Sequence, residues 1–251
     1  MFADWANRGL NQWTIEEVSI TLATGIRDYP GGTLTMTVGS TTSFSVGETL
    51  TGGTSAATAS VTSKPSSTTL AITIPSGTFS SGETISGGTS GASSTLAAAV
   101  DLTNVQSTID ILSAVVTRDS TDFEIQRVSR SSFLNIPNKS QSGRPNQFFL
   151  NRQITPVLQI WPAPDNDTDI VKFNRLTRID DVDAYTNTAE VPFRFYPCLT
   201  AGLAYYLSMK RNPQLMGALK TIYEEELQRA LDEDRDRASL RISPSYETYR
   251  S

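Results

Sequence analysis

Residues 44–56 read FSVGETLTGGTSA, and residues 79–91 read FSSGETISGGTSG. Phe44, Gly47, Glu48, Thr49, Gly52, Gly53, Thr54 and Ser55 recur as Phe79, Gly82, Glu83, Thr84, Gly87, Gly88, Thr89 and Ser90, at a constant offset of 35. A strand-like stretch precedes each copy, TLTMTV at 33–38 and TLAITI at 69–74, offset by 36, so the first loop has gained one residue. Leu34, Met36 and Val38 alternate with Thr, and Leu70, Ile72 and Ile74 follow the same period of two, which puts the apolar side chains on one face. The paired glycines at 52–53 and 87–88 favour sharp turns. One copy is too small to bury a core alone, so the two are expected to pair through a shared apolar seam. Residues 31–100 carry three charged side chains, Glu48, Lys64 and Glu83, while the flanks are far more charged. This shift predicts a β module at 31–107, made of repeats at about 33–68 and 69–100, inserted into a second domain built from 1–30 and 108–251.

The flanks set the class of that second domain. Phe2, Trp5 and Ala6 share one face of a short helix that Gly9 can end. In WTIEEVSITLATGIRDYP, Val18, Ile20 and Leu22 alternate as a strand with one buried face, and Tyr29-Pro30-Gly31-Gly32 breaks the run. Beyond the module, TIDILSAVV (108–116) predicts a central strand, and Asp119-Ser120-Thr121-Asp122 a hairpin turn before FEIQRVS (123–129). A short helical turn, SRSSFLNIP, ends at Pro137, and a polar turn-rich stretch runs to Pro145. NQFFL, QITPVLQIWP and DIVKFNRLTRI predict three more strands, with the loop WPAPDNDTD (161–169) between the last two. From Pro192 the pattern becomes helical. PFRFYPCLTAGLAYYLSMK is apolar over most of its circumference and should be buried or lie at a subunit interface. A second helix, 213–237, carries a stripe of Leu215, Leu219, Ile222, Tyr223, Leu227, Ala230 and Leu231. The expected fold class is α+β. An antiparallel β meander (13–30 and 108–180) precedes a C-terminal helical pair (about 192–210 and 213–237) and a tail at 238–251, and a small all-β domain interrupts it.

Composition narrows the chemistry. The chain has no His, the usual general base and commonest metal ligand, and one Cys, Cys198, so no intrachain disulfide or thiolate zinc cluster can form. The triad type of nucleophilic catalysis is excluded with it. Asp165, Asp167 and Asp169 start like a calcium loop, but Ile170 stands where Gly is needed and Leu176 where Glu is needed, so a solvated turn is expected. Asp180, Asp181 and Asp183 are expected in a polar loop. Glu48 and Glu83 could suggest a carboxylate pair, but repeat symmetry explains their recurrence. Cys198 on an apolar helix is expected to act as a small hydrophobe. Arg127, Arg130, Lys139, Arg144 and Arg152 are scattered and not in a stripe. A net charge of -5 weighs against a nucleic-acid-binding surface but suits a channel wall that DNA passes without sticking. No apolar run approaches the about 18 residues of a transmembrane helix, and MFADWANRGL lacks the features of a signal peptide. No enzyme activity is expected.

The stretch from Phe133 to Pro192 holds four landmarks in order: IPNK (136–139), GRP (143–145), WPAPD (161–165) and VP (191–192) opening a helical pair. In these it resembles the head-to-tail adaptor family of short-tailed bacteriophages, whose members attach under the portal. LNQWTIEEVSITLATGIRDYP and TIDILSAVVTRDSTDFEIQRVSRSSFLNIP also look like that family, so the resemblance spans about 10–30 and 108–240. Two departures stand out: less helix precedes the WTIEEV strand than the family usually carries, and 31–107 is not part of its usual core. The resemblance implies no cofactor and a homo-oligomer, a ring of twelve subunits at the virion neck, assembled in the host cytoplasm. It implies the portal on one side, tail or nozzle proteins on the other, DNA passing through without specific binding, and no membrane. Candidate subunit or portal interface residues are then Arg144, Pro145, Asp165, Phe195, Tyr205, Tyr246 and Tyr249. Arg144 is expected to fork onto an acidic group of the same or an adjacent subunit, near Asp165. The alternative role is a virion-surface decoration or host-binding module carried by residues 31–107.

Overall fold

The computed structural model describes residues 1–9, 12–179 and 191–234. Helix α1 (Phe2–Asn7) opens the chain, followed by β1 (Ile15–Thr21) and β2 (Asp28–Pro30). Six short strands come next: β3 (Thr35–Thr37), β4 (Thr49–Gly52), β5 (Thr58–Ser63), β6 (Thr69–Ile72), β7 (Thr84–Gly87) and β8 (Ser93–Thr95). After α2 (Thr103–Gln106) come β9 (Thr108–Arg118), β10 (Thr121–Glu124), β11 (Gln126–Arg127), α3 (Arg130–Leu134), β12 (Gln147–Asn151), β13 (Val157–Trp161) and β14 (Ile170–Thr177). Two helices, α4 (Tyr196–Arg211) and α5 (Met216–Glu233), close the described chain. The fold is α+β, with several antiparallel sheets and a C-terminal helical pair. It divides into two compact units, Thr14–Arg178 and, together, Met1–Trp13 with Ile179–Ser251. The sequence-based boundaries at 31 and 107 fall inside the larger unit.

The repeats form one antiparallel sheet in the order β3-β6-β5-β4-β7-β8. A bridge between Val38 and Leu96 joins its outer strands, with Gly39 N donating to Thr95 O (3.1 Å) and Ala97 N to Thr37 O (2.8 Å), so the sheet closes into a barrel. Closure removes the exposed edges that so polar and short-stranded a sheet would otherwise present. The barrel has a pseudo-two-fold. In the β4–β7 ladder Leu50 faces Gly87, Thr51 faces Ser86 and Gly52 faces Ile85, a pairing that maps onto itself when the copies are exchanged. Gly53 N donates to Thr84 O (2.8 Å), and its counterpart Gly88 N donates to Thr49 O (2.9 Å). Phe44, Leu50 and Val61 share one buried cluster with Phe79, Ile85 and Leu96. Gly47 and Gly82, with φ of +83° and +79°, hold equivalent turns that an L side chain would strain.

The rest of the larger unit is two four-stranded sheets, β1-β14-β9-β10 and β11-β12-β13-β2, whose inner faces bury Val18, Ile20, Ile111, Val116, Phe148, Ile160, Val171 and Phe173 in one cluster. These strands do not run as one sequential meander. β14 lies between β1 and β9 and not beside β13, and β11 pairs with β12 in parallel. The expected strand at 123–129 is broken at Ile125, where the chain changes sheets: Ile125 N donates to Ala114 O (3.1 Å), and Gln126 N to Asn146 O (2.9 Å). Asp119 and Ser120, both at positive φ, form the two-residue hairpin turn before it. Tyr29-Pro30 extends the sheet where a break was expected. Pro30 is tolerated because β2 is an edge strand.

Arg175 is buried on the inner row of β14, in step with Val171 and Phe173. Its Nε and Nη2 donate to Glu16 Oε1 (3.1 and 2.6 Å), and its Nη1 donates to Asn104 O (2.8 Å) and Thr108 Oγ1 (2.9 Å). Thr108 Oγ1 in turn donates to Gly31 O (2.8 Å). Both ends of the barrel segment therefore meet at one guanidinium. A Cβ on Gly32 would lie 2.0 Å from Nη1, so that close approach requires glycine.

In the smaller unit α1, α4 and α5 enclose Trp5, Ile179, Val191, Phe195, Cys198, Tyr223, Leu227 and Ala230. Trp5 Nε1 donates to Tyr223 Oη (3.1 Å), which donates to Asp4 Oδ2 (3.1 Å). Gly9, at φ +88°, stops α1 as expected. α5 is preceded by a 3-10 turn at Pro213–Leu215, and the last residues expected in this helix, 235–237, lie outside the described ones.

Arg175→Met is expected to destabilise the larger unit by about 3 kcal/mol, because it takes a donor from buried Thr108 and cuts the links to Glu16 and Asn104. Urea denaturation and amide exchange over residues 104–108 measure this, against Arg229→Met on the surface of α5, which should stay within about 0.5 kcal/mol of wild type. Equal midpoints for the two variants would remove the role assigned to Arg175.

Candidate interface residues

α4 buries Cys198 and Gly202 against α5 and α1, with Leu199, Ala201 and Tyr205 half-covered. A Cβ on Gly202 would come 2.9 Å from the Tyr223 ring, so this glycine sets how closely the helices approach. The opposite face is also apolar, and it is open. Leu203 and Leu207 are each 53 % exposed, Tyr196 is 47 % exposed, and Phe193 in the turn ahead of the helix is 83 % exposed. Residues 196, 203 and 207 share one face of a helix. Of the two expectations for this helix, burial or a place at a subunit interface, burial holds within the chain on one side only.

On α5 the buried row is Tyr223, Leu227 and Ala230. Leu215 and Ile222, expected in that packed stripe, instead point outward, 52 % and 50 % exposed. With Leu219 they form a separate row at i, i+4, i+7, turned to the flank of the packed face.

The interface candidates are dispersed. Phe195 is wholly buried in its own unit, its ring centroid 4.6 Å from that of Trp13. Tyr205 is half-buried and stacked on Tyr223 at 5.7 Å. Tyr246, Tyr249 and the acidic run 180–183 lie outside the described residues. Arg144 is exposed, with its guanidinium 3.7 Å from the centroid of the Phe123 ring, a cation–π contact, while Pro145 beside it is buried. Within the chain Asp165 is met by Arg118 and not by Arg144. Arg118 also donates through Nε (2.9 Å) and Nη2 (2.6 Å) to buried Asp169. Its hydrogen bond holds the Asp165 carboxyl below the usual range. Asp167 accepts from Thr24 N (2.6 Å), and Asn166 Oδ1 from Thr168 N and Asp169 N (both 2.9 Å). The D-N-D-T-D segment is thus a self-bonded turn tied down by Arg118. Nothing in the residue pattern singled out Arg118. Arg175 did leave a signal, a lone charge on the buried parity of an alternating strand.

Other singled-out residues also have local partners. Arg127 and Arg152 both pair with Asp110, and Lys139 Nζ donates to Leu134 O (2.7 Å). Burial pushes the Cys198 thiol up to about 12, so it stays protonated and inert at neutral pH. Among the described residues, no group of His, Cys, Asp or Glu could hold a metal ion.

Glu48 and Glu83 are buried, and each caps the turn of the other repeat. Glu83 Oε2 accepts from Thr54 N (3.1 Å) and Ser55 N (2.9 Å), and Oε1 accepts from Ser55 Oγ (2.8 Å) and Ser80 N (2.6 Å). Glu48 repeats the pattern with Thr89 N (3.3 Å), Ser90 N (3.0 Å), Ser90 Oγ (2.8 Å) and Ser45 N (2.6 Å). Gly52 and Gly87 leave room for these carboxylates, since an added Cβ would sit 2.7 and 2.5 Å from the nearer oxygen. The backbone N–H of Ser55 is the largest influence holding Glu83 down to about 2. At Glu48 burial pushes upward, and the hydrogen bonds from Ser90 and Ser45 outweigh it, so that its carboxyl too is lowered. Two carboxylates so occupied are structural crosslinks between repeats and not a general acid and its partner.

No family model matches the chain, and no curated protein matches it.

A carboxyl whose pKa is lower in the folded than in the unfolded chain stabilises the fold above the unfolded value, and that contribution is lost as pH falls toward the folded value. For Glu83 the window runs from about 4.5 down to about 2. Glu83→Gln, which turns an amide N–H₂ toward donors, is expected to lower the melting temperature at pH 7. The gap to wild type should narrow steadily as pH drops through that window. A gap that is constant from pH 7 to pH 2.5 in thermal melts would rule the cap out as the source of the effect.

Proposed function

We propose that this chain is a structural subunit of a phage neck, a ring-forming adaptor that joins the portal to the tail and lines the DNA exit channel. The observation that carries the reading is the ordered set of landmarks at 136–139, 143–145, 161–165 and 191–192, followed by a helical pair. The open apolar face of α4 supports it, since exposed apolar area of that kind favours assembly over a free monomer. The acidic charge balance suits a channel that must not hold DNA. On this reading the sheets of 13–30 and 108–180 are the adaptor core, and 31–107 is an inserted module. Insertion is supported by the hydrogen bond from Thr108 Oγ1 to Gly31 O, which brings the ends of that segment together, as a tolerated insertion needs. The partners are the portal above and tail or nozzle proteins below, with the 238–251 tail and its Tyr246 and Tyr249 reaching the portal.

A second reading, decoration or host binding by the module, is favoured by its surface. Both carboxylates are turned inward, which leaves an almost uncharged exterior of Thr and Ser. Replacing residues 33–103 by a short Gly-Ser link separates the two roles, because Arg175 keeps Asn104.

Electron microscopy and mass photometry of the purified protein with portal should show rings of about twelve copies, and the shortened chain should still join them. A protein that stays monomeric and never joins the portal at high concentration would sink the adaptor reading. Host attachment that fails while neck assembly survives would give the module the second role.

A further inference from the structure

The open row of α4 and the flank row of α5, in which Leu219 and Glu226 are half-buried and Glu226 also pairs with Arg229, complement one another. On α4 the row runs Tyr196, Thr200, Leu203, Leu207 and then Arg211, with Lys210 beside it, and Arg194 lies in the preceding turn. α4 carries no acidic residue. On α5 the row runs Leu215, Leu219, Ile222 and then Glu226, on a helix whose Glu224, Glu225, Glu226, Asp232 and Glu233 outnumber Lys220 and Arg229. Both rows are apolar at the N-terminal end and charged at the C-terminal end, with opposite signs. Set parallel with Leu207 against Ile222, the spacing brings Leu203 near Leu219, Thr200 near Leu215 and Arg211 near Glu226. The two rows lie on different helices of one chain, so each can meet only its complement on another copy. Such a contact is heterologous, and repeated around an axis it gives a ring where its rotation closes and a filament where it does not.

We infer that the α4 row of one copy docks in parallel on the α5 row of a second copy of this chain, and that this head-to-tail helix contact is the lateral contact of its assembly. The inference deepens the ring reading above and rests on it only in requiring that copies sit side by side. Apolar residues at the centre with a charged end is the usual make-up of a specific interface, and the opposed charges fix the register and disfavour α4 on α4 or α5 on α5.

The test uses two variants altered at exposed positions, Leu203→Glu/Leu207→Glu on α4 and Leu215→Glu/Ile222→Glu on α5, so that the two altered faces repel one another in the mixture. Unchanged far-UV circular dichroism and melting temperature establish that each is folded. By sedimentation velocity, wild type should assemble with rising concentration, while each variant alone should stay monomeric at concentrations at least about tenfold higher. Mixed in equal amounts, the variants should form a one-to-one pair and nothing larger, because one keeps its α5 row and the other its α4 row. Wild type that remains monomeric, a variant that assembles like wild type, or a mixture that gives no pair would each overturn the inference. Wild-type protein that stays monomeric but is retained by vesicles of anionic phospholipid would assign the α4 row to another occupant. Portal binding of the same proteins keeps the two readings apart. Rings on the portal that ignore both variants retain the adaptor and discard this contact, whereas paired variants without portal binding retain the contact and discard the adaptor.

Discussion

The architecture of the larger unit depends on one buried cation. A guanidinium out of water is tolerable only when its donors are used, and Arg175 uses them on Glu16, Asn104 and Thr108, groups from the first sheet strand and from the end of the barrel segment. It cannot be satisfied by the sheet alone or by the barrel alone. The barrel therefore leaves and re-enters the sheets at a fixed point, between the pieces at 14–30 and 108–178 that the β1–β14 and β2–β13 ladders join. Glu16 is half exposed, so one side of the ion pair remains solvated, and the burial cost falls mainly on the arginine.

The barrel solves a different problem. Its strands are short, and beside the apolar cluster that Phe44, Leu50, Phe79 and Ile85 share, polar contacts lock the two halves together. Each repeat also sends a carboxylate into the other's glycine turn, where backbone N–H groups become donors to a charge. The same feature explains why Gly52 and Gly87 recur, since a methyl group there would collide with the cap. The recurrence of the GETxxGGTS pattern is thus a contact rule as much as a record of duplication.

Much of this was legible in the sequence. Alternation marked β1, β3 and β6 because each has one face in a core, apolar and β-branched content marked β9, and the duplicated motif marked the barrel's turns. Less visible was anything set by pairing between distant strands. The break at Ile125 follows from a change of sheet, and nothing local announces it. The position of β14 between β1 and β9 is likewise a matter of partner choice. Leu215 and Ile222 were read as packed because they sit close to the true buried row, and a displacement of one position around a helix moves a side chain from core to flank. Among the candidate interface residues, Phe195 carries an aromatic ring as Phe193 does, yet only the latter is turned outward. Residue type could not distinguish them, because the irregular turn ahead of α4 decides which ring meets Trp13.

The two units handle apolar surface differently. The barrel and sheets bury most of their large apolar side chains and leave Ile109, Leu112, Leu134 and Ile154 exposed. The helical unit is built on a small cluster around Trp5 and Tyr223, yet leaves Phe193, Tyr196, Leu203, Leu207, Leu215 and Ile222 open. Such a unit gains little more from folding alone, because the face that would add most to its stability is turned away from its own core. Anything that covers that face in the folded state and not in the unfolded chain raises its stability by mass action. If copies assemble as proposed, stability of the helical pair and assembly of the chain are coupled.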